Sequence, residues 1–460
     1  ADQTDPWLAD AAISKQLEDR KVSQLITVIN GLGHAVRGKE SEDRKLAAER
    51  IGKLCSPPEF DLRAPKTETS DYALRKRLLD PATKAMENWN SSGEDLATRQ
   101  HVGAIYLAMG RVTQRSGLGN SNESYTHFSK SNEWHPRFEA LVGRGRALLT
   151  TGRPKITQEL AEIVDAMEQF PDHADDSGLL GLRGIHRVRA SRVEADRARK
   201  RELLNQAITN FKRAMESKVQ DEFESWTIEW LSQAHLESAF HSPPPVGLSE
   251  LQMENSRGWH LDQARRYAQK AIDEYERRFQ PENAYNALGN AYEDHALYLG
   301  DVYRQESADS PFQRENYTKS IEAFSTALTK IDSLSNDAEI RTALTLWNRG
   351  RSRFRFGTGS TFLSKGDGKR EEPTKLLPDD ESASLLNEAE SDLKEAIKLF
   401  AAANWKERQA ETYVWLGRLQ GSFADRERKS EAQKSLDTGI NLAKEAGSSY
   451  WGSYVLDAIA

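Results

Sequence analysis

Apolar residues recur three and four positions apart along nearly the whole chain, and the alternating runs that make half-buried strands are almost absent. Leu25-Ile26-Thr27-Val28-Ile29 is the one β-rich stretch, and its flanks read as helix. The chain is therefore restricted to an all-α fold. Within it one pattern repeats: a small residue, a large one four positions on, and another small one three further. Ala207, Phe211 and Ala214 show it fully, as do Ser124, Phe128 and Ser131 with Ser in the small places. Ser320-Phe324-Ala327 and Ala389-Leu393-Ala396 follow, then Ala264-Ala268-Ala271 with Ala in the large place. Glu159-Ile163-Ala166 and Ala432-Leu436-Gly439 are looser copies.

Each copy follows a helical segment, most of them with a glycine at the corresponding place: Gly103, Gly143, Gly184, Gly289, Gly350 and Gly417, with Trp226 to Leu236 lacking it. Tyr285, Leu288, Gly289 and Tyr292 fit W-x2-L-G-x2-Y with Tyr for Trp, and Ser320, Phe324 and Ala327 fit A-x3-F-x2-A with Ser for the first Ala. This resembles the tetratricopeptide repeat (TPR), a helical hairpin of roughly 34 residues. The large-slot residues are spaced 35, 48, 57, 56, 69 and 43 apart, so most copies carry insertions. The resemblance implies a right-handed α–α superhelix, a TPR-like solenoid. The expected organisation is an irregular helical N-terminal segment over 1–90, about seven hairpins over 94–446, and a C-terminal capping helix over 447–460. Helices are expected at Trp7–Asn30, Ser41–Leu54 and Asp71–Trp89 in the first part, and at Ser448–Ala460 in the last.

Composition agrees. The AVILMFWYC fraction is 37%, low for 460 residues, as expected where each hairpin packs only on its neighbours. The 10 Trp, 13 Tyr and 15 Phe exclude a disordered chain. No stretch approaches ~18 uninterrupted apolar residues, so no membrane span is expected. A net charge of −7 argues against nucleic-acid binding by the whole surface. The chain starts Ala1-Asp2-Gln3-Thr4 without Met, which suggests a processed protein or an excised region, cytoplasmic or exported.

Catalytic and cofactor signals are poor. Gly33-His34-Ala35-Val36-Arg37-Gly38-Lys39-Glu40 imitates a phosphate loop, but Glu40 stands where Ser or Thr would hold Mg²⁺, and no strand precedes it. It reads as a helix end closed by Gly31 and Gly33. The single Cys55 has no recognisable His or Asn partner, and the histidines show no zinc spacing. Glu293 and Asp294, or Glu229 beside Trp230, are the sort of pair an α/α-toroid glycosidase would need, yet neither stands out from 71 acids. No enzyme activity, cofactor or metal is expected.

Arginine is the informative residue. Arg144, Arg351 and Arg418 each follow a helix-packing glycine, and Asn290 holds that place after Gly289. The TPR resemblance implies that this position faces a concave groove. Asn286 and Asn290 share a helix face, as do Arg351 and Arg355. Arg341, Arg349, Arg353, Arg183 and Arg187 add charge nearby. Two readings stay open. Arg144, Asn286, Asn290, Arg351, Arg355 and Arg418 form a locally basic groove for a protein or peptide partner, acidic or phosphorylated, or the arginines pair with acids of neighbouring hairpins and join the array. The function expected is a non-catalytic interaction scaffold, in architecture like the TPR regions of bacterial signalling proteins such as Ser/Thr kinases. A ligand- or peptide-sensing TPR regulator is the alternative, and an α/α-toroid enzyme stands behind both.

Overall fold

The computed structural model describes residues 27, 30–33, 41–55, 79–87, 89, 91–116, 121–150, 156–216, 223–242, 256–275, 282–305, 311–331, 338–359, 376–423 and 426–446. Helix dominates them, and no strand occurs among the described residues. The helices are α1 (Ser41–Cys55), α2 (Leu96–Ser116), α3 (Ser121–Trp134), α4 (Phe138–Thr150), α5 (Ile156–Met167), α6 (Ser177–Val193), α7 (Arg197–Glu216) and α8 (Phe223–His241). They continue with α9 (Arg257–Tyr275), α10 (Glu282–Gln305), α11 (Pro311–Lys330), α12 (Ala338–Thr358), α13 (Asp379–Ala402), α14 (Lys406–Ser422) and α15 (Arg426–Glu445). The expected helices at Trp7–Asn30 and Ser448–Ala460, and nearly all of the Gly33–Glu40 loop, lie outside the described residues.

Starts and stops follow local chemistry. Asp95, Asp176, Asp196 and Ser256 each precede a helix and accept a bond from a first-turn backbone N–H, at 2.8 Å from Thr98, 2.8 Å from Gly178, 2.7 Å from Arg199 and 3.1 Å from Trp259. Just beyond the end of α13 the chain turns at Asn404, whose φ of 53° is the left-handed value that Asn tolerates. The Trp405 N–H then reaches back to the Phe400 carbonyl at 2.9 Å, and the two rings pack 5.8 Å apart.

The chain divides into two compact units, one of residues 1–186 and 213–224, the other of 187–212 and 225–460. In the first unit α1 packs on α2, and α2 through α5 pack each on the next. Ala48 and Ile51 of α1 share a core with Leu79 and Met86, and with Val102, Ile105 and Met109 of α2. The described part of the N-terminal segment thus shares the core of the first hairpin. In the second unit α9 through α15 pack each on the next, and α12 also touches α10 and α14.

The small-large-small pattern has a direct physical cause. Phe128, Ile163, Phe211, Ala268, Phe324 and Leu393 are all fully buried. A Cβ on Gly143 would come 2.4 Å from the Phe128 ring, one on Gly289 2.6 Å from Phe324, and one on Gly417 2.7 Å from Leu436. Glycine is required because the large side chain lies directly on the opposing backbone. Serine in a small place adds a bond between helices: Ser131 Oγ donates to the Gly103 carbonyl at 2.7 Å and Ser320 Oγ to the Gly289 carbonyl at 2.8 Å. These buried bonds use a carbonyl that a packing glycine leaves accessible.

Candidate functional site

Helices α10, α12 and α14 of the second unit are the first helices of successive hairpins, and the seam between α10 and α12 is polar. Along α10, Glu282, Asn286, Asn290 and Glu293 fall on one stripe through the 3.6-residue period. Glu282 pairs with Arg341, and Asn286 Nδ2 donates to Thr345 Oγ1 at 2.9 Å. Asn290 Oδ1 accepts from Arg351 Nη2 at 2.8 Å. Glu293, 0% exposed, receives Arg351 Nη2 at 2.7 Å and Nε at 3.1 Å, and Arg355 Nη1 at 2.7 Å.

The arginines of α12 divide by helix face. Arg351 and Arg355 reach α10, whereas Arg349 and Arg353, displaced two positions and so on the opposite side, reach α13. Arg349 grips Asp392 at 2.7 and 2.9 Å, and Arg353 binds Asp392 and Glu388, both at 2.6 Å. The run Arg349-Gly350-Arg351-Ser352-Arg353-Phe354-Arg355 is therefore a two-sided clip.

Two tryptophans lie against these cations. The Arg351 guanidinium sits 4.7 Å from the Trp347 ring centroid, with Arg408 at 5.2 Å from the same ring. Arg355 lies 5.1 Å and Arg418 5.4 Å from Trp415. The indole N–H groups of Trp347 and Trp415 are buried without an acceptor among the described residues. Such cation–aromatic layers orient the planar guanidinium and add attraction where water is scarce.

The acids between them are strongly perturbed. Burial alone would raise Glu293, but Arg351 and Arg355 outweigh it and hold its carboxyl below the ordinary value. Asp294 is pushed up to about 7 by burial and by the negative charge of Glu293, against the opposing pull of Arg355 and Arg351. Burial also raises Glu411, although Arg408 binds it at 2.7 Å. Near neutral pH Asp294 is therefore only partly ionised.

Of the six residues expected from sequence, Asn286, Asn290, Arg351 and Arg355 meet on this seam, and Arg418 shares the Trp415 ring with Arg355. Arg144 belongs to the first unit, where its Nε and Nη2 donate to Tyr125 Oη at 3.1 and 2.9 Å, and that hydroxyl donates to Glu159 at 3.1 Å. Arg351 and Arg355 bridge hairpins, as the second reading has it, and in the same arrangement lie on tryptophan rings. Sequence reasoning did not single out Trp347, Trp415 or Arg408. The signal available was Trp two or three residues ahead of a packing glycine with Arg directly after it, at Trp347-Gly350-Arg351 and Trp415-Gly417-Arg418.

Sequence reasoning also missed a buried histidine pair. His235 of α8 and His260 of α9 share a hydrogen bond between their Nδ1 atoms at 2.9 Å, beside Tyr267 and Trp259. His235 is pushed down to about 3 by burial, His260 and Lys212, and His260 to about 4 by burial and Lys212. Both stay neutral when folded, whereas in the unfolded chain they protonate below about pH 6.5. The unfolded state thus binds more protons between pH 6.5 and 4, and stability falls as pH drops through that window. Asp294 acts with the opposite sign, favouring the folded state at low pH until it ionises near 7. It is common to both proteins in a comparison of the wild type with His235→Asn/His260→Asn. Unfolding by urea should show a steeper acid loss in the wild type, by up to about 2–3 kcal/mol per pH unit near pH 5. Parallel profiles would refute the neutral pair.

Among the described residues no group of His, Cys, Asp and Glu is arranged to hold a metal ion, and no helix is long and apolar enough to cross a membrane. No protein-family profile and no curated protein matches the chain. Among solved structures, a circular tandem repeat protein with novel repeat topology and enhanced subunit contact surfaces is 14% identical, over 97% of this chain and 92% of its own, with a TM-score of 0.29. An engineered protein is 15% identical over 89% of this chain and 98% of its own, with a TM-score of 0.20. The consecutive helix pairs and their recurring glycine seams define the class: an all-α helical-repeat protein.

Proposed function

We propose that this chain is a non-catalytic binding scaffold of the TPR type whose first-helix face in the second unit captures an acidic protein segment. The observation that carries the reading is the pair of guanidinium–indole layers, Arg351 and Arg408 on Trp347, and Arg355 and Arg418 on Trp415. Carboxylates of an extended segment would meet cations already oriented by rings, and hydrogen bonds to such charged groups are the stronger ones. Glu293 and Asp294 hold Arg351 and Arg355 in place and Glu411 holds Arg408, and Asp294, pushed up to about 7, is only partly ionised near neutral pH.

The test is a panel of fluorescent peptides of equal length, from strongly acidic to basic, titrated against the whole chain. Acidic peptides should bind most tightly, with affinity falling as salt rises. Arg418→Glu, at unchanged helicity, should weaken their binding by about tenfold or more, the loss of a charge-assisted contact of ~1.5–3 kcal/mol. Equal affinity for acidic, neutral and basic peptides would sink the reading.

A further inference from the structure

Four cations fall within five residues at the start of α7: Arg197, Arg199, Lys200 and Arg201. The acids around them are engaged elsewhere. Glu194 Oε1 accepts from the Ala195 and Asp196 N–H groups at 2.8 and 3.0 Å, and Asp196 Oδ1 from the Arg199 N–H at 2.7 Å. Glu202 pairs with the Arg199 side chain. Arg197, Lys200 and Arg201 have no carboxylate within ion-pairing distance among the described residues. They stand at i, i+3 and i+4, and so share one face of the helix. Arg197 and Arg201 are exposed and Lys200 is half-buried.

Exposed apolar side chains border this face, all within the second unit. Val193 ends α6, four positions before Arg197, and at 66% is the most exposed large apolar residue among those described. Arg192 beside it binds Glu237 at 2.9 Å, which brings the end of α6 against α8. About one turn further along α8, Phe240 is 44% exposed. The cations also act on this end of α8. Burial first, and then Lys200, Arg197 and Arg201 against Glu237, hold the His241 imidazole below its ordinary value. Neither the charge nor the apolar surface serves the fold. Cations in a first turn oppose the helix dipole, and Arg197 repels Arg201 at i+4. A valine left largely in water contributes little burial energy.

We propose that the start of α7, with Val193 and Phe240 beside it, docks this chain on an anionic lipid surface. Cations without partners of their own complement phosphate and carboxylate headgroups, and each adds about fivefold to the partitioning. Val193 and Phe240 enter the headgroup boundary, where apolar side chains gain by leaving water. That pairing of charge with apolar surface separates a membrane from a nucleic acid. Phosphates of either meet the cations, but valine has no face on which a base stacks. The net charge of −7 does not cancel the attraction, because acids more than about 10 Å away are screened at ~0.1 M salt. The proposal does not rest on the acidic-segment reading, whose residues lie on α10, α12 and α14.

The experiment sediments the whole chain with vesicles of phosphatidylcholine, alone or with about 30% phosphatidylserine. Binding should appear only with the anionic lipid and fall at least about tenfold between ~0.1 and ~0.5 M salt. Arg197→Gln/Lys200→Gln/Arg201→Gln should weaken it at least about thirtyfold. This variant should melt no lower than the wild type, since cations in a first turn do not stabilise the helix. Val193→Ser should weaken binding about three- to tenfold. Lys398→Gln/Lys429→Gln/Lys434→Gln removes as many exposed cations from α13 and α15, and should change it less than about threefold. Equal binding to neutral and anionic vesicles overturns the proposal, as does an equal loss from the clustered and the scattered variants. A Val193→Ser protein that binds like the wild type overturns it too. Binding to duplex DNA without binding to vesicles assigns the cluster to nucleic acid and also overturns it. Binding of acidic peptides is read separately and reports only on the acidic-segment reading.

Discussion

Glu293→Gln should destabilise the second unit by about 3–5 kcal/mol, the cost of breaking a buried ion pair by removing one partner. Glu293 is 0% exposed and receives both Arg351 and Arg355. The amide keeps the shape but leaves two half-buried cations facing a neutral group. Asp294 provides a partial remedy. Arg355 is already 3.9 Å from it, and without the Glu293 charge its carboxyl should ionise at lower pH than about 7. The single variant should therefore fall at the lower end of the range at pH 7.5. Glu293→Gln/Asp294→Asn should fall at the upper end and exceed the sum of its parts, because neighbours in one charge network are not additive. Asp294→Asn alone should be nearly neutral above pH 7, where it removes an acid repelled by Glu293. Urea denaturation of the three variants gives these values. A Glu293→Gln loss under about 1 kcal/mol, as an exposed pair would give, would mean that the seam does not hold α10 to α12.

That seam marks where sequence reading ends. The helices and their packing slots were legible because their causes are local. A glycine facing a large residue repeats with the hairpin, so Gly289 and Gly417 and their partners Phe324 and Leu436 can be picked out without coordinates. The common face of Arg351 and Arg355 follows from the helical period in the same way. Their partner does not. Glu293 lies 58 residues from Arg351 and 62 from Arg355, and Asp392 lies 43 from Arg349. With insertions of different length between hairpins, no fixed period links these positions, and 71 acids compete for the assignment. The same period, applied to Arg349 and Arg353, shows that they point away from Arg351; sequence reading grouped them only as nearby charge. The His235–His260 contact was hidden for a related reason. Zinc spacings on one helix are recognisable in sequence, whereas a neutral pair between two helices has no spacing of its own.

Phe324→Ala should cost about 3–5 kcal/mol, as for a fully buried aromatic that leaves a cavity. Its ring lies over Gly289, where an added Cβ would come within 2.6 Å of it. Gly289→Ala should itself destabilise by about 1–3 kcal/mol, since overpacking exceeds the ~1 kcal/mol that alanine gains over glycine in a helix. The two changes should compensate in combination. The new methyl enters space that the lost ring vacated, so the double variant should be more stable than the sum by about 0.5–3 kcal/mol. Gly421 of α14 supplies the internal control, because its added Cβ would meet only the Ala432 Cβ at 3.9 Å. Gly421→Ala should be neutral or stabilising by up to about 1 kcal/mol. One substitution in two first helices thus changes sign with the distance to the opposing helix. If both alanines act alike, helix propensity governs these glycines. If they diverge, close approach of paired helices is what the recurring glycine secures.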